Sequence, residues 1–226
     1  MPDFKSWRKS KAYKITNRTV GLALLLWVSV IISPKLLAFP HHAQIGDTLI
    51  WSEAPIAPRM KDILARSDAL LRRSAIFSKG YGKSIYLTSG GWRWKLLTVQ
   101  SSNGFAISRA FTENIIINQS DIGKDKVFSS AAEGRTRTLA DTIAHERTHG
   151  LLRSRFGATI DFTAPVWKRE GYCDYVAQAS SLNDAQALEM ERSRPDHPAL
   201  PYYHGRKRVT AILTDNGGSV DKLFQD

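Results

Sequence analysis

Residues 139–152 read LADTIAHERTHGLL, and no other stretch restricts this chain as tightly. Leu139, Ile143, Leu151 and Leu152 recur at helical spacing, so the segment predicts a helix. His145 and His149 then lie one turn apart on a single face. Two imidazoles so placed can grip one metal ion. A catalytic zinc takes three protein ligands and keeps a fourth position for water. Glu146, next to the first histidine, can reach such a water and act as general base. The alternative is a hydrogen-bonded histidine pair on a core helix.

A third ligand has to come from elsewhere, and APVWKREGYCDYVA supplies Glu170, 21 residues after His149. Trp167, Glu170, Gly171 and Tyr175 resemble the second motif of the gluzincin metallopeptidases, Trp-x-x-Glu-Gly-x-x-x-Tyr. The resemblance implies one zinc ion held by His145, His149 and Glu170. Asp174 stands where thermolysin-like gluzincins carry an aspartate that hydrogen-bonds the first histidine, so it would orient His145. YYHGRKRVTAIL is similar to a segment of the membrane alanyl aminopeptidase family whose tyrosine stabilises the oxyanion. That role falls to Tyr202, with Tyr203 as the neighbouring choice. The likeness spans roughly residues 110–225. It departs in three places. Arg147 puts a charge inside the histidine motif, where it is expected to face solvent or meet a carboxylate. The Gly-x-Met-Glu-Asn stretch that captures a free amino terminus is absent, so exopeptidase specificity is not implied. His204 replaces the lysine of the tyrosine segment.

The amino terminus gives the location. Residues 1–19 carry Lys5, Arg8, Lys9, Lys11, Lys14 and Arg18 against Asp3 alone, and residues 20–32 carry no charge. A basic stub before an apolar run is an export or anchoring signal. Counted to residue 39 it is long enough for a membrane anchor; a cleaved signal peptide is the other reading. Beyond the stub and Lys35, 25 basic residues face 20 acidic ones, so the net charge of +11 does not argue for a nucleic-acid partner. Cys173 is the single cysteine, which excludes an intrachain disulfide and a cysteine-rich zinc finger.

Residues 40–58, with Pro40, Pro55 and Pro58, read as a linker, and residues 59–226 as the catalytic domain. A helix is expected over 59–78. Strands are expected at 84–89, 95–101, 104–110 and 112–119, with a hairpin turn at 101–104. Helices follow from about 135, from Pro165, after Asn183 as a cap, and over 202–216 up to Gly217 and Gly218. The expected fold class is α+β, a zincin-like domain with a small mixed sheet, the zinc helix and a helical carboxy-terminal part. The strand at 114–118 is the expected sheet edge for an extended substrate, with Asn114 and Ile116 as its contacts. The implied function is a membrane-anchored zinc endopeptidase acting on peptides or proteins outside the cytoplasm. The alternative is an inactive zincin-fold binding module tethered to the membrane.

Overall fold

The structure is a computed structural model that describes residues 11–80, 82–99, 103–132, 135–180 and 182–225. It divides into two units, Met1–Phe39 and Pro40–Asp226. The first holds one long helix, α1 (Lys11–Ile32), and a 3-10 turn over Pro34–Leu37. Among the described residues no helix is long and apolar enough to cross a membrane. The apolar stretch expected to run from 20 to 39 is interrupted: the helix stops at Ile32, just before Ser33 and Pro34. Its uncharged part, residues 20–32, spans only about 20 Å at 1.5 Å per residue, against about 30 Å of hydrocarbon.

The second unit is mixed α and β. Its first elements correct the linker expectation. β1 (His41–Ile45) and β2 (Thr48–Ser52) form an antiparallel hairpin inside 40–58. The three prolines flank the hairpin and leave its ladder intact. Gly46 turns it with φ of +57°, a conformation glycine adopts without strain. After α2 (Met60–Leu71), β3 (Ser84–Leu87) pairs in parallel with β2. α2 buries Met60, Ile63, Leu64, Ser67 and Leu71, one stripe at helical spacing.

Residues 95–98 are helical where a strand was expected over 95–101, and residue 100 lies outside the described residues. α3 (Trp92–Thr98) occupies that position and buries Trp94, Leu97 and Thr98, a three-four spacing. The hairpin turn expected at 101–104 therefore has no strand to start from, and residues 101 and 102 lie outside the described residues. β4 (Ala106–Ser108) and β5 (Asn114–Ile117) complete a sheet of order β1-β2-β3-β5-β4. β5 is flanked by β3 in parallel and β4 antiparallel, so it is a central strand. The edge expectation for Asn114 and Ile116 fails for a physical reason. Ile115, Ile116 and Ile117 are fully buried, as an uninterrupted apolar run covered on both faces should be. The edges are β1 and β4.

A smaller antiparallel sheet, β6 (Ser120–Asp121), β7 (Lys126–Phe128) and β8 (Thr136–Arg137), leads into α4 (Leu139–Phe156). Thr138 caps α4 by accepting from the Asp141 amide. Every residue of α4 from 139 to 153 is buried. Its front end, Leu139, Ala140 and Ile143, packs into the sheet cluster with Ile85 and Ile115. Its back end, Leu151 and Leu152, packs into a helical cluster with Tyr172, Cys173 and Val209. His145, Glu146 and His149 fall between these two cores.

α5 (Ile160–Thr163), α6 (Val166–Ala177), α7 (Asp184–Ser193), α8 (Leu200–Asp215) and α9 (Val220–Gln225) follow. Asn183 caps α7 in a reciprocal box with Gln186. α6 and α8 cross with their backbones nearly touching. A Cβ on Gly171 would sit 2.5 Å from the Gly205 carbonyl, and one on Gly205 would sit 2.5 Å from the Trp167 carbonyl oxygen. These two glycines set how closely the helix of Glu170 approaches the helix of Tyr202.

Candidate metal centre

The His145 and His149 rings lie with centroids 5.1 Å apart, at 71° to each other. Glu170 enters from α6, its Oε2 3.3 Å from His145 Nε2 and 3.5 Å from His149 Nε2. A tetrahedral ion with bonds of about 2.0–2.1 Å has donor–donor edges of about 3.3–3.4 Å, so both separations fit ligands of one zinc-sized ion. A second donor set overlaps the first. His145, His149 and Cys173 are buried and present donor atoms within 4.8 Å of one another, a group that could hold a metal ion. The carboxylate is the better third donor, because it lines the cleft beside both histidines, whereas Cys173 is fully buried in the helical core.

The electrostatics agree with that preference. Burial penalises the Glu170 carboxylate, yet His149 and His145 prevail and hold it well below the usual carboxylate range. Burial pushes the Cys173 thiol well above its ordinary value, and Glu170, Glu146 and Asp174 add to the effect. Burial opposes a charged His145, but the Asp174 and Glu170 carboxylates overrule it and push His145 up to about 10.

Asp174 is where the sequence placed it. His145 Nδ1 lies 2.8 Å from Asp174 Oδ1 and donates to it, which leaves Nε2 for the Glu170 side. The carboxylate is fully buried, and it also accepts from Arg137 Nη2 at 2.6 Å. Burial raises Asp174, but Arg137 and His145 outweigh it and keep the group ionised.

A cleft of about 700 Å³ opens over His145, His149 and Glu170. Glu146 and Tyr202 share its wall, and the edge strand β4 lines another side. Tyr202 is therefore the cleft tyrosine; burial first, then the Glu170 charge, raises its phenol. Tyr203 is buried elsewhere and donates to Asp184 Oδ1 at 2.7 Å. Asn114 and Ile116 do not line the cleft; residues 105–108 do. His197 lines it too, with Nδ1 accepting from the Ala199 amide at 3.1 Å. His204 is exposed and pairs with Glu191 at 3.0 Å.

Arg147 meets a carboxylate, as expected, and does so in the interior. Its side chain is 6% exposed and donates to Asp68 at 2.6 Å and to Thr48 Oγ1 at 2.8 Å. The charge inside the histidine motif thus ties α4 to α2 and β2. Glu113 is engaged by Arg153 through two bonds of 2.8 and 2.5 Å, and Arg153 also reaches Asp161. Arg137 and the β4 edge are the residues that sequence reasoning missed. Arg137 belongs to no motif, and β4 becomes an edge only through the strand order. No protein family, curated protein or solved structure matches this chain.

Proposed function

We propose that this protein is a zinc-dependent hydrolase of peptide bonds, of the gluzincin type. The observation that carries the reading is the Glu170 Oε2 atom, 3.3 and 3.5 Å from the two histidine Nε2 atoms at the floor of a cleft. His145, His149 and Glu170 would hold the ion. When bound, zinc supplies a Lewis acid that makes a water nucleophilic near neutral pH. Glu146 takes the proton of the attacking water and returns it to the leaving amine. The Tyr202 hydroxyl donates to the oxygen on which negative charge develops. Asp174 fixes the tautomer of His145. The free edge of β4, Ala106–Ser108, offers backbone groups to an extended substrate, which makes a peptide the natural ligand.

Glu146→Gln tests the base. It should retain zinc and lose about 10²–10⁴-fold in peptide cleavage. Wild-type cleavage by that variant would remove Glu146 from the mechanism.

One observation favours a second reading. If the Cys173 sulfur completed the coordination, no wet position would remain, and the domain would bind metal without catalysis. Location is a further part of the proposal. Val20, Leu22, Leu24, Leu25 and Leu26 of α1 are more than half exposed, next to a basic stub. That combination supports attachment to a membrane surface or an export signal.

A further inference from the structure

We propose that Arg137 is a positioning residue of the metal centre, acting through Asp174 on His145; this rests on the zinc reading above. Arg137 comes from β8, outside both ligand helices. It is held there by β8 pairing with β7, where Val127 stands opposite Arg137. Its guanidinium donates to Asp174 Oδ1 at 2.6 Å, and the same oxygen receives His145 Nδ1 at 2.8 Å. The three side chains are 8%, 0% and 7% exposed.

Charge balance gives the reason for a cation here. A fully buried carboxylate facing only a neutral imidazole N–H would be an uncompensated charge. Glu146, Glu170 and Asp174 together bring three negative charges to the site. Glu170 has its own guanidinium, Arg169 Nε at 3.2 Å from Oε1, and Arg137 is the cation held against Asp174. The shared Oδ1 atom, held by Arg137, fixes His145 Nδ1 and leaves Nε2 facing Glu170. The small β6-β7-β8 sheet then serves to deliver this one guanidinium beneath α6.

The test is zinc affinity, measured by competition with a chromophoric chelator, in wild type, Asp174→Asn, Arg137→Met, Arg137→Lys and the Arg137→Met/Asp174→Asn double variant. Arg137→Met should weaken zinc binding about 10–100-fold, as losing an outer partner of a ligand does. Arg137→Lys should recover part of the loss. The double variant should bind no worse than its weaker parent, because both changes cut one chain. Cobalt-loaded Arg137→Met should also show a shifted visible spectrum, which a merely local loss of stability would not produce. Wild-type affinity in Arg137→Met, or losses that multiply in the double variant, overturns the proposal. Loss in Asp174→Asn without loss in Arg137→Met removes Arg137 alone and leaves the zinc reading standing. A wild-type protein that binds no zinc overturns both.

Discussion

Two buried arginines, ten positions apart, show opposite uses of charge. Arg147 sits inside the histidine motif yet serves the scaffold: it joins α4 to Asp68 of α2 and to Thr48 of β2. Arg137 sits outside every motif yet reaches the site, through Asp174. Their partners differ as well. The Asp68 side chain is 48% exposed, whereas Asp174 is fully buried. A carboxylate that can return to water tolerates the loss of its arginine, and a sealed one does not. Membership of a motif therefore says little about a residue's task; what lies at the far end of its hydrogen bonds decides it.

The two adjacent tyrosines sharpen this contrast and carry the largest expected effect. Tyr202→Phe should lower kcat about 10²–10³-fold, the usual cost of one oxyanion donor. Tyr203→Phe should leave kcat alone and cost about 0.5–1.5 kcal/mol of stability, since its hydroxyl meets Asp184 and Lys207 away from the cleft. Steady-state kinetics and thermal melts on the pair separate the roles; equal kinetic losses would mean that the cleft assignment is wrong.

The next effect belongs to the helix crossing. Gly205→Ala places a methyl 2.5 Å from the Trp167 carbonyl oxygen, a backbone atom with no rotamer to yield. The expected destabilisation is about 1–3 kcal/mol. Zinc affinity should fall as well, because α6 carries Glu170. Denaturant unfolding and a zinc titration check both parts, and an unchanged variant would refute the close crossing.

Arg147→Met follows. It should cost about 1–3 kcal/mol through lost hydrogen bonds, with zinc affinity as in wild type. A large loss of zinc would show that the scaffold arginine is coupled to the site.

The smallest effect is a pH slope. Below about pH 10 metal-free His145 keeps its proton, and a ligating imidazole must give it up. Zinc uptake should therefore release a proton, and affinity should rise with pH by up to about tenfold per unit between about pH 7 and 9. Calorimetry in two buffers of different ionisation enthalpy counts the protons; none released would place His145 outside the ligand set.

The helical part of this fold and most of the site were readable in the residues, because their signals are local. Thr138 and Asn183 cap α4 and α7, Gly217 follows α8, and the pairs His145/His149 on α4 and Glu170/Asp174 on α6 are each four residues apart, one helical turn. The sheet was less readable because its signals are relational. Residues 41–52 carried a hairpin cue in Gly46-Asp47, but the flanking prolines suggested a linker. Residues 92–98 hold two tryptophans and two leucines that suit a strand or a short helix. Burial of Trp94, Leu97 and Thr98 on one side decides for the helix. That β4 and not β5 is the edge, and that Arg137 meets Asp174, follow from strand order and pairing, which no short window contains.

X-ray absorption at the zinc edge tests the central claim most directly, since it reports the donor set without any assumption about substrate. The account predicts a zinc shell of nitrogen and oxygen at about 2.0–2.2 Å, with two imidazoles and no sulfur. Sulfur at about 2.3 Å would bring Cys173 into the donor set against the account, and a protein that retains no zinc would contradict the account altogether.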